Sequence, residues 1–408
     1  MNRKQLLLLV VLVVVLGGTG WFLFQRNSQL WSQASSAVAG SKLLKDFPIN
    51  DVAKITIRSA TGEVNLVRGE KGWGVAERGQ YPASFEQISR LLKTLWDLKI
   101  VQDVKAGPSQ FGRLQLVEPA KDATDTGTLV DLLDANGKRL ASVILGKEVK
   151  RQAEQMPEGY PVGRYAMALD SASQPVVVSE LLNEAAVEVP AWLNKDFFKV
   201  ERMKSVALSG TAAGQQWKIT RAAEDAEWQL EGAKPDEKLD TGKLPSFGSA
   251  LAAPTMIDVL PAGTKPESVG LDQPITINAE TFDGFNYVLR AGRLDGEQWP
   301  VQIAVSARIS SERTPAAEEK PEDKTRLDEE FAKKKTDLEA KLAKEKALET
   351  HIFQITKFTV DSLLKDRSTM LMAAEPAPAA TPFSVTTEPV SVPAAPAKPA
   401  KVEKKKKQ

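Results

Sequence analysis

The side chains that most often carry chemistry are scarce in this chain. Of its 408 residues one is histidine, His351, and none is cysteine. Without a thiol there can be no disulfide, no thiolate nucleophile, no cysteine-ligated zinc or iron–sulfur centre and no lipidated N-terminal cysteine. With one imidazole there is no histidine-rich metal site, and a Ser-His-Asp triad would have to use His351. That residue stands between a charged stretch and an apolar strand and reads as a surface or packing histidine. Trp73 and Trp228 are aromatic rings that a ligand could stack on, yet each sits in a strand pattern and reads first as a core filler. No GxxxxGK[ST] loop, no strand–GxGxxG–helix and no GxSxG elbow occurs, so the phosphate cradle, dinucleotide fingerprint and nucleophile elbow are missing. Carboxylates are plentiful, but spacing alone singles out no glycosidase-type pair. Carboxylate-only Mg²⁺ or Ca²⁺ binding stays open, unsupported by an EF-hand loop. The residues assign no catalytic, cofactor-binding or metal-ligating position, and the chain reads as a non-enzyme without a cofactor.

The charge balance narrows the partners. Fifty-four Lys and Arg against 53 Asp and Glu leave a formal net charge of +1, which gives no whole-molecule field to attract nucleic acid.

Something must hold this chemically quiet chain in place, and the N-terminus offers it. A short basic start, residues 1–5 with Arg3 and Lys4, precedes an uncharged apolar run at 6–24. Nineteen residues make about 28 Å of helix, just enough for a bilayer core of roughly 30 Å. Trp21 and Phe22 stand at its far end, where amphipathic rings favour the interface. The positive-inside rule keeps the N-terminus in the cytoplasm and sends the rest across. The expected location is therefore the bacterial inner membrane, single-pass, with the bulk periplasmic or extracytoplasmic. The competing reading is a cleaved signal peptide at Ala37-Val38-Ala39, although that small-x-small site lies far beyond the apolar run.

Residues 25–45 read as a linker, and the chain beyond it uses one pattern twice. The first copy, expected over 46–197, has Lys54-Ile55-Thr56-Ile57-Arg58, Val64-Asn65-Leu66-Val67-Arg68 and Gly72-Trp73-Gly74-Val75. The second, over 198–372, has Val206-Ala207-Leu208, Trp217-Lys218-Ile219-Thr220-Arg221 and Glu227-Trp228-Gln229-Leu230. Apolar and polar residues alternate with period two, the pattern of half-buried strands. A helix follows in each copy. Ser84 caps one with Ile88, Leu91, Leu92, Leu95 and Leu98 on one face, and Leu244, Phe247 and Leu251 mark a weaker one broken by Pro245 and Gly248. Lys99-Ile100-Val101 and Thr255-Met256-Ile257 return to strand. Pro119 and Pro274, like Trp73 and Trp228, are 155 residues apart. Asn136-Gly137 and Asp283-Gly284 then signal hairpins. Each copy ends on a strand expected to run into a short helix, Val176 to Leu182 and Phe353 to Leu364. The fold class expected is α+β: a transmembrane helix, then two homologous repeats of mostly antiparallel sheet with packed helices.

The second copy is interrupted at about 312–350 by a charged segment. Leu327, Phe331, Leu338 and Leu342 fall within a narrow arc, and Glu329–Lys333, Glu330–Lys334 and Asp337–Lys341 are favourable i,i+4 pairs. This predicts a long charged helix, either resting on its own domain or projecting as a docking arm. A coiled coil is the weaker reading, since Lys334, Lys341 and Glu345 interrupt the seam. Residues 373–408 form an Ala/Pro/Lys-rich tail expected to be extended and disordered. Its lysines could touch peptidoglycan or anionic lipid, but without interleaved aromatic rings they do not predict nucleic-acid binding.

Three features resemble a bacterial family known as a domain of unknown function, DUF4340. They are the strand pair ending in Trp73, the Gln80-Tyr81-Pro82-Ala83 entry to the leucine-rich helix, and Val269-Gly270-Leu271-Asp272-Gln273-Pro274. The last is degenerate in the first copy, where Gln115-Leu116-Val117-Glu118-Pro119 lacks the glycine. The resemblance spans most of residues 45–370 and leaves the insertion and tail unexplained. It implies membrane-anchored repeated α+β units associated with gliding-type ABC transport systems, and carries no catalytic residue. The function so implied is a non-catalytic accessory subunit of an ABC-type transport or gliding-type complex. The alternative is an envelope scaffold gripping peptidoglycan or another surface polymer. A hydrolase would need a cleft between the copies with converging carboxylates.

Overall fold

Ile55 and Ile57 on one strand, and Val64 and Leu66 on the next, are fully buried while their sequence neighbours are not. That alternation builds β1 (Lys54–Arg58) and β2 (Glu63–Gly69), the start of the first of two sheets. The computed structural model describes residues 39–372 apart from 122, 154–155, 170–173, 211–213, 236, 316–318 and 362. The first sheet continues with β3 (Gly72–Val75), β4 (Tyr81–Pro82), β5 (Ile100–Asp103), β6 (Thr128–Leu133), β7 (Arg139–Ala153), β8 (Met156–Ala168) and β9 (Val176–Val178). Its order is β4-β3-β2-β1-β6-β7-β8-β9-β5.

The second sheet comprises β10 (Met203–Ser209), β11 (Gln216–Thr220), β12 (Gln229–Leu230), β13 (Met256–Val259), β14 (Ile275–Thr281), β15 (Phe285–Ala291), β16 (Gln298–Ala307) and β17 (Phe353–Thr356). It runs β12-β11-β10-β14-β15-β16-β17-β13. With β4 set aside, the two orders are the same permutation, and every pairing between neighbouring strands is antiparallel. Registers agree as well. Ile55 lies between Leu66 and Leu132, and Val206 between Ile219 and Ala279. Gly137 and Gly284 take positive φ, 80° and 83°, in the turns that the Asn-Gly and Asp-Gly pairs predicted.

Helix α1 (Phe85–Trp96) covers the first sheet. The Ser84 hydroxyl accepts the Gln87 N–H at 3.4 Å, and Ile88, Leu91, Leu92 and Leu95 are buried. Such a cap is worth about 1 kcal/mol, and each buried leucine about 2–5 kcal/mol against alanine. Its counterpart α2 (Leu244–Ser249) is only six residues long, as Pro245 and Gly248 require, but still buries Phe247. No helix follows β9. Leu182 turns the chain with φ 54°, and the next element is a 3₁₀ turn at Val189–Trp192. The chain here moves across to the second sheet, so the expected short helix forms only in the second copy, as α4 (Lys357–Asp361).

Between β16 and β17 lies α3 (Lys324–Lys346), 23 residues. Of the two placements the sequence left open, it takes the first and rests on its own domain rather than projecting as an arm. Leu338 and Leu342 pack on the core, and the helix docks on β16 of its own sheet rather than on another helix.

The cores of the two sheets are continuous. Tyr81 meets His351 edge-on at 5.1 Å and Phe353 at 5.9 Å, and Phe353 meets Phe197 at 4.9 Å. The apolar run at 6–24, the Ala37-Val38-Ala39 site apart from Ala39, and the tail from 373 lie outside the described residues. Among the described residues no helix is long and apolar enough to cross a membrane.

Candidate interaction surfaces

The two copies depart from their common frame at one large feature each. In the second it is α3. In the first it is the length of β7 and β8. β6 supports β7 only as far as Leu145, and β9 supports β8 only from Arg164 onward. Residues 147–153 and 156–163 therefore pair chiefly with each other, as a two-stranded ribbon reaching about 23 Å past the sheet. In the second copy the chain turns back just after Gly292, closed by the Asp295–Gln298 bridge. The ribbon carries Tyr160, 39 % exposed, opposite Arg151, with Val162 beside it, 41 % exposed. Pro157 and Pro161 on β8 remove backbone donors, which protects a free edge from pairing with other strands.

Arg164 fixes the base of the ribbon. Its Nε donates to the Gly146 carbonyl at 2.7 Å and its Nη1 to the Leu181 carbonyl at 2.9 Å. Burial lowers its pKa, with Glu148 acting in the opposite sense. A guanidinium stays charged under any ordinary condition, so the cross-link is permanent.

α3 is anchored by a buried carboxylate. Glu345, 3 % exposed, accepts the Lys199 N–H at 3.0 Å, the Tyr287 hydroxyl at 2.8 Å and the Lys341 ammonium at 2.9 Å. Lys341 also donates to the Lys199 carbonyl at 2.8 Å. Burial, and then the Glu345 charge, push the Tyr287 hydroxyl pKa well above its usual value, so it remains a donor. Lys341 and Glu345, which interrupt the apolar seam in sequence, are the residues that dock the helix. Farther toward the N-terminus, Asp283 receives both Lys334, at 2.8 Å, and Arg202.

At the junction of the copies, Arg78 donates twice to Asp258, Nε to Oδ1 at 3.0 Å and Nη2 to Oδ2 at 2.8 Å. His351 lies against Tyr81, and burial lowers its pKa. The adjoining cleft, about 350 Å³, is lined by Arg78, Gln302, Thr350 and His351 but by no acidic side chain. The converging carboxylates that a hydrolase would need are absent from this cleft, and the described residues contain no cluster of three metal-ligating side chains. Trp73 and Trp228 are half-buried rather than core fillers, because each packs at the edge of its sheet beside a short strand. The structure brings His351 and neither tryptophan to the junction.

Sequence reasoning missed the ribbon, Phe85 and Glu345. The ribbon had a legible signal. Residues 147–175 have no match in the second copy, and within them Val149 alternates with charged neighbours while Tyr160 and Val162 alternate with Gly159, Pro161 and Gly163. Phe85, 70 % exposed at the first position of α1, had none.

No curated protein and no solved structure matches the chain. Residues 73–274, from Trp73 in β3 to Pro274 before β14, match the family model described as Domain of unknown function (DUF4340), and this segment of the chain belongs to that family.

Proposed function

We propose that this protein is a non-catalytic, membrane-anchored envelope subunit that works by contact outside the cytoplasm, as an accessory of an ABC-type transport or gliding-type complex. Residues 6–24 supply the anchor and the doubled sheet body supplies the surface. ATP hydrolysis belongs to another chain.

The observation that carries this reading is the ribbon of β7 and β8. It is stiffened by its own ladder, clamped at its base by Arg164, and presents Tyr160 and Val162 to solvent. A pre-ordered ribbon loses little entropy on binding, and an exposed tyrosine is a favoured anchor at protein interfaces. Its absence from the second copy supports a dedicated use rather than a need of the fold.

The test is purification of the full chain from membranes in mild detergent, with identification of its companions. The reading expects transporter subunits with the native chain and their loss when residues 147–163 are replaced by a tight Gly-containing turn. Recovery without transporter subunits removes it.

A further inference from the structure

A second surface of the first copy has a different chemistry. Beside Trp73 lies an open groove of about 690 Å³, within the roughly 300–1,000 Å³ typical of small-ligand sites. Arg68, Lys71 and Lys93 line it, and no acidic residue does. Elsewhere most close cations meet carboxylates, as at Arg78–Asp258 and Arg367–Glu237. Among the described residues Lys71 and Lys93 have no ion-pair partner, and the Arg68 guanidinium donates only to the Asn50 carbonyl, at 3.1 Å. Two aromatic rings, Trp73 and the exposed Phe85, share the groove with the Asn194 amide.

The second copy serves as an internal comparison. Arg221 stands where Arg68 does, but its guanidinium lies over the Trp228 ring, 4.8 Å from the centroid. The α2 backbone also approaches that ring at Gly248. In the first copy Arg68 reaches away to Asn50, and Trp73 lines an open space.

We propose that this groove binds an acidic oligosaccharide, with a sugar ring stacked on Trp73 and its carboxylate held by Lys71, Lys93 and Arg68. A pyranose offers an aliphatic C–H face to an aromatic ring, hydroxyls to an amide such as Asn194, and a carboxylate to the cations, and charge-assisted bonds are the stronger kind. A peptide strand is disfavoured. The neighbouring sheet edge is only Tyr81–Pro82, Pro82 has no N–H, and Ala83 is already bridged to Leu193. The groove stands apart from the transporter reading, and neither result depends on the other.

The test is calorimetric titration of the full chain in mild detergent with tetragalacturonate, beside neutral maltotetraose and hexaglutamate peptide. Saturable binding of tetragalacturonate is expected, absent for maltotetraose and weaker for hexaglutamate. K71A/K93A and, separately, F85A should each weaken it at least tenfold. These side chains are exposed, so unchanged circular dichroism and melting temperature show that the fold is intact. Absence of saturable binding, binding indifferent to these substitutions, or equal or tighter binding of hexaglutamate would overturn the proposal.

Discussion

Gln115 and Gly270 hold the same left-handed backbone at the same point of the two copies, φ 56° and 76°. Each follows a 3₁₀ turn whose final carbonyl presses on a glycine, Gly146 within β7 and Gly292 just past the end of β15. A Cβ on Gly146 would lie 2.3 Å from the Leu114 oxygen, and one on Gly292 would lie 2.2 Å from the Val269 oxygen. Both copies therefore require two backbones to pass at the same close distance, and only glycine permits it. The glycine missing from the first copy's motif changes the strain and leaves the geometry intact.

Gln115→Gly should raise stability by about 0.5 kcal/mol, the left-handed penalty relieved less the added freedom of glycine in the unfolded chain. Gly146→Ala and Gly292→Ala should each lower it by about 2–3 kcal/mol through overpacking against backbone. Urea unfolding measures all three, as shifts in midpoint at constant slope.

Glu345→Ala should release the C-terminal half of α3. It leaves the Lys199 N–H without an acceptor, at about 1–3 kcal/mol, and leaves the Tyr287 hydroxyl with only the longer bond to the Lys199 carbonyl, 3.2 Å. Glu345→Gln keeps an acceptor and should cost less. Hydrogen exchange should show loss of protection in α3 and at Lys199 for alanine, with sheet amides of the first copy unchanged.

Stability should fall at both ends of the pH range for reasons that meet at one contact. His351 has a folded-state pKa below its unfolded value, so the unfolded chain takes up the proton first. Stability present above about pH 6.5 is lost as pH falls below it. Burial, with Asp196 adding to it, raises Tyr81 to about 12, so stability present below about pH 10 is lost between there and about 12. His351→Gln should flatten the first limb and Tyr81→Phe should shrink the second, Tyr287 supplying the remainder, as read from unfolding free energies at each pH.

The Arg78–Asp258 pair joins the copies with both side chains largely buried, 15 % and 13 % exposed. Asp258→Ala strands the guanidinium and should cost about 3 kcal/mol, while Asp258→Asn, which keeps one acceptor, should cost less. Calorimetry should show one unfolding transition for the native chain, because the core is continuous. In Asp258→Ala the second copy should begin to melt separately.

Much of this architecture could be read from spacing. Strand alternation gave the buried faces of β1, β2, β10 and β11, and the recurring 155-residue offset anticipated two sheets of one topology. Three things escaped. Gln115 looked like a broken motif because sequence records side chains and not φ. Glu345 looked solvated because its partners, Tyr287 and Lys199, are 58 and 146 residues away, and a buried carboxylate carries no local mark. Phe85 stood out in no pattern, since the first position of a helix belongs to no set face, and in the structure it is 70 % exposed. The surfaces proposed for function are thus set by long-range placement, while the frame that carries them is local and periodic.

The proposed function requires the ribbon of β7 and β8 to meet a partner at the membrane. A photo-crosslinking residue placed at Tyr160 in intact cells tests this most directly, with the exposed Asn136 at the other end of β7 as control. The account predicts a discrete adduct with a membrane transport subunit from position 160 and none from 136. Equal labelling from both positions, or an adduct only with cytosolic proteins, would contradict it.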